Sequence, residues 1–444
     1  MKYLFPKFVS SDQELDITYR YRCELYQRHI KKAPTGYVIT EFLPDVPWAG
    51  IYNTISCAAS HHFREGRWLC DTAPLADYAH FWCNEGNPRL YSFPIADSIL
   101  ALSKVTGDPS LGITLYPKLK EIHSAWDDHK TDYGMYTQLC NRDGMEFSIS
   151  GDGIRPTINS YMYADKMALA LLAEYVGEKD SAEVFRNEAK KLRNDINYHL
   201  WNDNIGMFGT NTENGEKRDV REQVGYIPWM YGIPDKEKEG SFRYLLDKSC
   251  FLAPCGLRTA DASHPEYQKH FDHECLWNGP IWPFATSQTL TALIAYLQTE
   301  KQPAVTADDF MGLLLTYAYS HRDMDGTPWL DENMDPDTGI WLAREILRQQ
   351  EDYYLKDRGR HYNHSTFIDL VMTGICGICP SQENILTIRP LGTSLAFFAA
   401  TDIPYHGHII SVQWDKHAGL RVTVDGGTEY SCSASDDIVL EIRL

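Results

Sequence analysis

Several acidic side chains stand in one irregular, glycine-rich stretch near the middle of the chain, residues 141–155. Its charged residues include Asp143, Glu146, Asp152 and Arg155. An apolar pattern of helical spacing follows directly. Carboxylates on a loop at the mouth of a rigid helical scaffold can be aimed for acid–base chemistry. The simpler interpretation is a solvated loop whose acids cap helices and turns.

A second acidic loop, residues 323–339, lies far along the chain and contains Glu332. Hydrolysis of a glycosidic bond needs one protonated carboxyl for the leaving oxygen and one ionised carboxylate. In the inverting geometry the second group activates water, and the two carboxyls lie roughly 6.5–9.5 Å apart. Two acidic loops that meet across a pocket would suit this reaction. Tryptophans that can stack on sugar faces accompany them: Trp48, Trp68, Trp277, Trp282 and Trp329.

Three segments resemble glycoside hydrolase family 63 and its mannosylglycerate-hydrolase-like relatives. WNGPIWP (277–283) looks like their W-x-GP-x-WP signature, and WLDENMDPDTG (329–339) is similar to the Y-E-x-Y-N-P-x-T-G segment that carries the catalytic base. GMEFS (144–148) resembles the G-M-D-N-S segment that carries the general acid. The resemblance implies that Glu332 is the base and Glu146 the acid. Because Glu stands where the family has Asp, a shifted alignment would make Asp152 the acid.

The same resemblance implies a sugar pocket. REGRWL (64–69) looks like a recurring element of related six-hairpin glycosidases, and RGRHYNHSTF (358–367) stands where family members carry a loop and helix start. The two histidines of this second segment could bind hydroxyls or equally cap a helix. The substrate-binding residues that we predict are Trp48, Arg64, Glu65, Trp68, Arg155, Trp277, Asn278, Trp282, His361 and His364.

The elements that must position these loops are mainly helical. The pattern predicts about twelve to fourteen helices, without a short sequence repeat and without strand alternation. They fall near residues 11–31, 51–64, 74–84, 94–105, 112–128, 157–177, 181–199, 221–231, 236–248, 283–297, 307–321, 338–357 and 364–378. Helical hairpins of this number can close into an (α/α)6 barrel whose long loops gather at one rim.

After Pro380 the pattern changes to short, β-branched, alternating segments with Gly and Asp turns between them. We therefore expect two domains, a catalytic (α/α)6 barrel over residues 1–380 and a small antiparallel β module over residues 381–444.

Composition excludes several function classes. The net charge is −19, from 42 basic and 61 acidic side chains, which argues against nucleic acid and an anionic membrane surface as partners. No apolar run reaches membrane-spanning length, and the first residues lack a secretory cleavage pattern. With 11 scattered cysteines, an odd number, a cytoplasmic protein is expected, and the alternative is an exported precursor that has been trimmed.

No cofactor is expected, because the sequence has no phosphate-binding glycine loop, dinucleotide fingerprint or G-x-S-x-G motif. No metal is expected either, since the His and Cys spacings fit no strong zinc pattern and no EF-hand is visible. The expected partner is an oligosaccharide or glycoside substrate. The sequence predicts neither the sugar, nor its linkage, nor an oligomeric state.

We expect an exo-acting, inverting glycosidase of the α type. One alternative is a different glycosidase on the same barrel, such as an α-L-rhamnosidase or arabinofuranosidase, which the first anomer released would distinguish. Another is an N-acylglucosamine-epimerase-type isomerase, which would use His as acid–base and survive loss of Glu332. The third is a non-catalytic sugar-binding protein, which would never turn over.

Overall fold

The computed structural model describes residues 4–268, 273–350, 354–434 and 438–444. Helices predominate in this part of the chain. The α-helices are α1 (Gln13–His29), α2 (Ala59–Gly66), α3 (Ala73–Asn84), α4 (Ile95–Thr106), α5 (Ser110–Ala125), α6 (Pro156–Tyr175), α7 (Lys179–Asp195), α8 (Pro283–Leu297), α9 (Ala307–Tyr319), α10 (Leu342–Arg348) and α11 (Phe367–Leu370). Two 3-10 segments cover Gln223–Tyr231 and Lys236–Leu246.

Local signals in the sequence set the ends of these helices. α6 and α8 each begin with a proline, which needs no hydrogen-bond partner in the first turn. α9 begins with a capping box between Thr306 and Asp309. α4 ends at Gly107, whose φ of 73° is left-handed and suits glycine.

Four predicted helices differ in type or extent, and one of them, predicted near 236–248, is the 3-10 segment Lys236–Leu246. The helix predicted near 221–231 is a 3-10 segment, and Pro228 inside it lacks the N–H that a regular α-helix would use. The helix predicted over 51–64 begins only at Ala59, after a series of turns. The helix predicted over 338–357 is reduced to α10, and its residues 351–353 lie outside the described residues.

A closed ring of six elements forms the centre of the helical part. α2 packs against α4, α4 against α6, and α6 against the segment Gln223–Tyr231. This segment packs against α8, α8 against α11, and α11 returns to α2. α5 and α7 pack on α6 from outside the ring, α9 packs on α8, and α1 packs on α9 and α11. Apolar residues of these elements form one large buried cluster.

Small antiparallel sheets complete the fold. The strands are β1 (Lys7–Ser10), β2 (Ile30–Ala33), β3 (Gly36–Ile39), β4 (Trp201–Asn202), β5 (Met207–Phe208), β6 (Leu252–Ala253), β7 (Gly256–Leu257), β8 (Ile378–Cys379), β9 (Ile385–Ile388), β10 (Phe397–Tyr405), β11 (His408–Asp415), β12 (Gly419–Val424), β13 (Thr428–Cys432) and β14 (Leu440–Arg443). A five-stranded sheet has the order β1-β10-β11-β12-β13, and a three-stranded sheet has the order β14-β9-β8.

The five-stranded sheet takes one edge strand from the start of the chain. β1 pairs with β10 in antiparallel register, with Lys7 opposite Thr401 and Phe8 opposite Ala400. The sequence did not predict this strand, because four residues give little periodicity to detect. The division at residue 380 stays a prediction, and the sheet draws on both sides of it.

In the described part of the chain, no helix is both long enough and apolar enough to span a bilayer.

Candidate active site

One cavity of about 250 Å³ contains both Glu146 and Glu332. Its lining consists of Phe42, Trp48, Ile55, Cys57, Tyr91, Gly144, Glu146, Glu274, Cys275, Trp282, Glu332, Arg358 and Tyr362. Most of these residues belong to loops that come directly before elements of the inner ring in the chain. The two acidic loops that sequence analysis singled out therefore meet at this cavity.

A buried ion pair holds the loop that carries Glu146. Arg155 Nε lies 2.5 Å from Asp143 Oδ2, and both side chains are fully buried. Arg155 also donates to the carbonyl oxygen of Gly151 at 2.5 Å. On the other side of the loop, Glu222 accepts from the backbone N–H of Ile149 at 2.7 Å. These buried charges fix the backbone that aims Glu146, and Arg155 acts through the loop rather than in the cavity.

A second buried ion pair holds the loop that carries Glu332. Arg344 donates to Asp331 Oδ2 from Nη2 at 2.7 Å and from Nε at 3.0 Å. The side chain of Asn333 accepts from Ala343 N at 3.1 Å and donates to the carbonyl of Glu274 at 2.7 Å. Glu332, the candidate base, thus lies between two residues whose side chains are held in place by hydrogen bonds.

The segment 277–283 joins the two acidic loops. Trp277 N donates to the carbonyl oxygen of Glu146 at 3.0 Å. Ile281 exchanges two backbone hydrogen bonds of 2.9 Å with Met334, two residues after Glu332. The segment therefore has a positional role, since its backbone is hydrogen-bonded to the loops of both carboxyls.

Burial makes both carboxyls hard to ionise. It raises the pKa of Glu146 to about 7, and the negative charge of Glu332 adds to this effect. Burial likewise raises the pKa of Glu332 to about 7, but the Arg358 guanidinium opposes it. Arg358 Nε lies 3.6 Å from Glu332 Oε1, and Arg358 Nη2 donates to Glu274 Oε1 at 2.6 Å. The thiol of Cys275 donates to Glu332 Oε2 at 3.4 Å.

A third carboxyl, Glu41, lies buried near the cavity and sequence analysis missed it. Its Oε1 accepts a hydrogen bond from the hydroxyl of Tyr362, which lines the cavity. Burial raises the pKa of Glu41 to about 8, and the charges of Glu332 and Glu146 raise it further. The available signal was an acid inside the aromatic, proline-rich stretch that contains Trp48.

Two other cavity residues, Glu274 and Arg358, were also missed. Arg358 begins the segment 358–367, in which the two histidines drew attention instead. Its role depends on a contact with Glu332, a residue from a different loop, which no local pattern reveals.

The structure places four of the predicted site residues in the cavity, and these are Glu146, Glu332, Trp48 and Trp282. Trp277 is buried behind it, stacked on Trp282 with ring centroids 4.5 Å apart. His364 is also buried and its Nε2 is hydrogen-bonded to the Asp331 carbonyl at 3.1 Å.

Asp152 does not line the cavity. It is exposed and accepts from the backbone N–H of Cys140 at 2.7 Å. Asn278 is buried outside the lining, and its carbonyl accepts from Gln268 N at 2.8 Å. His361 is hydrogen-bonded through Nδ1 to the hydroxyl of Tyr21 at 2.7 Å, also outside the cavity.

The three residues predicted from the segment 64–69 point into the protein interior. Arg64 pairs with Asp97 at 3.0 Å, and Glu65 pairs with Arg22 at 2.7 Å. Trp68 is fully buried, and its indole N–H donates to Asp369 at 2.6 Å. Their placement differs from the prediction because α2 and the residues just after it face the packed ring, so their polar groups bind other helices.

Within the described residues, no group of three or more His, Cys, Asp or Glu side chains has the arrangement of a metal site. All 11 cysteines are free thiols.

Several proteins of known structure share this fold. A protein titled sialidase is 34% identical, with a TM-score of 0.89 over 95% of this chain and 40% of its own length. A GH63 mannosylglycerate hydrolase from Thermus thermophilus, in complex with glucose, matches with 13% identity and a TM-score of 0.57, over 80% of this chain and 99% of its own. A GH78 rhamnosidase from Bacillus sp. GL1 matches with 16% identity and a TM-score of 0.59, over 94% and 41%. The present chain thus spans two fifths of the first of these proteins.

The helical ring thus carries two buried carboxyls in one pocket, on a fold that the chain shares with these proteins. The family model of the mannosylglycerate hydrolase MGH1-like glycoside hydrolase domain matches residues 51–365. The chain belongs to this family, which confirms the resemblance seen in its motifs.

Proposed function

We propose that the chain hydrolyses a terminal glycosidic bond with inversion, using Glu146 as general acid and Glu332 as general base. The observation that carries the proposal is the unequal surroundings of two buried carboxyls in one cavity. Arg358 contacts Glu332, and a cation beside a carboxyl favours its ionised form. Once Glu332 is ionised, its charge raises the pKa of Glu146 and favours the protonated form there.

In the proposed reaction, Glu332 accepts a proton from water as the water attacks the anomeric carbon. Glu146 gives its proton to the leaving oxygen on the opposite face of the sugar. The thiol of Cys275 and the guanidinium of Arg358 orient the carboxylate of Glu332. The hydrogen bond from Trp277 N to the Glu146 carbonyl keeps the acid loop at its distance from the base.

We propose that the scaffold is an (α/α)6 barrel. Its support is the closed ring α2, α4, α6, Gln223–Tyr231, α8 and α11, with other helices packed outside it. The loops that line the cavity precede these inner elements, as the proposed barrel requires of a site at one rim.

We propose that the cavity binds one uncharged sugar ring. Its volume of about 250 Å³ lies below the roughly 300–1,000 Å³ of pockets that enclose drug-sized ligands, which favours an exo-acting enzyme. Three carboxyls line it, Glu146, Glu274 and Glu332, while Arg358 is already engaged with two of them. A sugar acid would meet this negative field without a free cation among the described lining residues.

An isomerase of the epimerase type is disfavoured by the histidines. No histidine is among the described residues that line the cavity. Burial lowers the pKa of His364 well below its usual range, and its Nε2 is hydrogen-bonded to a backbone carbonyl.

The proposal is tested by proton NMR of hydrolysis against a panel of α- and β-linked oligosaccharides and aryl glycosides. We expect the inverted anomer to appear first. Glu332→Gln and Glu146→Gln should each lower the rate on natural leaving groups by on the order of 10²-fold or more. Asp152→Asn is the matched control from the same loop and should stay within a few-fold of wild type. Retention of the anomer, or an unchanged rate in Glu332→Gln, would refute the assignment.

A further inference from the structure

Phe147, the residue directly after the proposed acid, has an unusual conformation. Its φ is 61°, in the left-handed region that bulky side chains rarely adopt. Phe147 is also 46% exposed, so packing in the core does not explain why an aromatic residue stands here. In the G-M-D-N-S pattern that this loop resembles, the corresponding residue is Asn, which adopts positive φ far more readily. A strained aromatic residue beside a catalytic group suggests a function for its ring.

The ring of Phe147 lies against a second exposed ring, that of His273. Their centroids are 5.0 Å apart, and the side chain of His273 is 40% exposed. His273 Nδ1 accepts from the backbone N–H of Cys275, whose thiol contacts Glu332. Both rings are partly exposed, and the pair connects the loop of the proposed acid with the surroundings of the proposed base.

We propose that Phe147 and His273 form the leaving-group subsite, and that the leaving group presents an aromatic ring or the apolar face of a sugar. This inference rests on the proposed function. A general acid must reach the leaving oxygen, so the leaving group lies beside Glu146, and Phe147 is the next residue along the chain. Two exposed rings at that place offer a stacking surface rather than a charge or a set of hydrogen-bond donors.

The test compares benzyl and methyl glycosides of the sugar that the wild type hydrolyses. Both leave as simple alcohols of similar acidity, so the ratio of their kcat/KM values reports the contact with the ring and not the chemistry of bond cleavage. For Phe147→Ala we expect this benzyl-to-methyl ratio to fall by about three- to ten-fold, the range for loss of one aromatic contact. The methyl glycoside should be hydrolysed within two-fold of the wild-type rate.

Two further variants separate the ring from the backbone and from general surface effects. Phe147→Asn suits the positive φ but removes the ring, so it should lower the ratio as much as Phe147→Ala. Tyr198→Ala is the matched control, because Tyr198 is 78% exposed and its ring lies 4.9 Å from that of His199. It should leave the ratio unchanged.

The outcomes distinguish the two proposals. Equal losses on both glycosides in Phe147→Ala, or a benzyl preference that survives in Phe147→Asn, would overturn the subsite while leaving the hydrolase intact. A wild type that hydrolyses no glycoside of the panel would overturn the proposed function, and the subsite with it.

Discussion

Replacing Arg358 with methionine should raise the pKa of the proposed base and narrow the pH range of activity. Arg358 Nε lies 3.6 Å from Glu332 Oε1, and both side chains are almost completely buried. Methionine keeps much of the volume and removes the charge. It also leaves Glu274 without its 2.6 Å partner, so the negative charge of Glu274 acts on Glu332 without this compensating cation.

The size of the effect follows from Coulomb's law. Two unit charges 3.6 Å apart interact by about 1 kcal/mol in water and by about 5 kcal/mol at an effective dielectric constant of 20. One pKa unit corresponds to about 1.4 kcal/mol, so loss of the cation should raise the pKa of Glu332 by about one to three units. Its starting value is about 7. Because the base must be ionised, the acidic limb of the kcat/KM profile should move upward by at least about one unit.

The assay is a kcat/KM profile from pH 5 to pH 9 on the substrate that the NMR panel identifies. Relative to wild type, Arg358→Met should lose about ten-fold more activity at pH 6 than at pH 8.5. Arg358→Lys keeps the positive charge but not the planar guanidinium. It should therefore shift the acidic limb of the kcat/KM profile less than Arg358→Met does. A uniform loss at every pH would show that Arg358 only supports the loop, and would refute the electrostatic argument.

Two predictions concern stability. Gly359→Ala would place a Cβ 2.1 Å from Asp331 Oδ1 and should lower the free energy of unfolding, measured by urea titration, by about 1–3 kcal/mol. The control is Gly312→Ala, at an exposed position of α9 with open space around it, which should raise the free energy of unfolding by up to about 1 kcal/mol. Equal effects of the two substitutions would contradict the packing at Asp331. Because the pKa of Glu41 is raised to about 8, its contribution to stability is complete below pH ~4.5 and is lost as pH rises through 8. Glu41→Gln should remove on the order of 4 kcal/mol of this pH dependence between pH 5 and pH 8.5, and parallel wild-type and variant curves would contradict the burial of its charge.

Much of the local structure was predictable from the sequence. Prolines at the starts of α6 and α8, and Gly107 after α4, mark helix ends through backbone geometry that acts over a few residues. The alternating segments after residue 380 likewise indicate strands. The motifs around Glu146 and Glu332 named a pair of carboxyls that the structure brings into one cavity.

The tertiary structure decided which polar residues face the cavity. Arg64, Glu65 and Trp68 have the side chains of a sugar site. In the fold, α2 and the residues just after it direct them to Asp97, Arg22 and Asp369 instead. A sequence shows that a polar residue lies on a helix, but it does not show which residue of another helix that side chain will contact.

The tertiary structure also decided which of Glu146 and Asp152 lines the cavity. Both acids belong to one loop, and the sequence left them as alternatives. The Asp143–Arg155 pair and the Trp277 N hydrogen bond fix the backbone so that Glu146 lines the cavity, while Asp152 is exposed.

The charges that tune the site came entirely from the fold. Arg358 acts on Glu332, and Glu41 interacts electrostatically with both proposed catalytic carboxyls, although each belongs to a different loop. The sequence by itself therefore determined the helical pattern, the family and the two loops that carry the candidate carboxyls. Only the tertiary structure decided their ionisation, because burial and charge–charge distance depend on how loops from separate parts of the chain pack around one cavity.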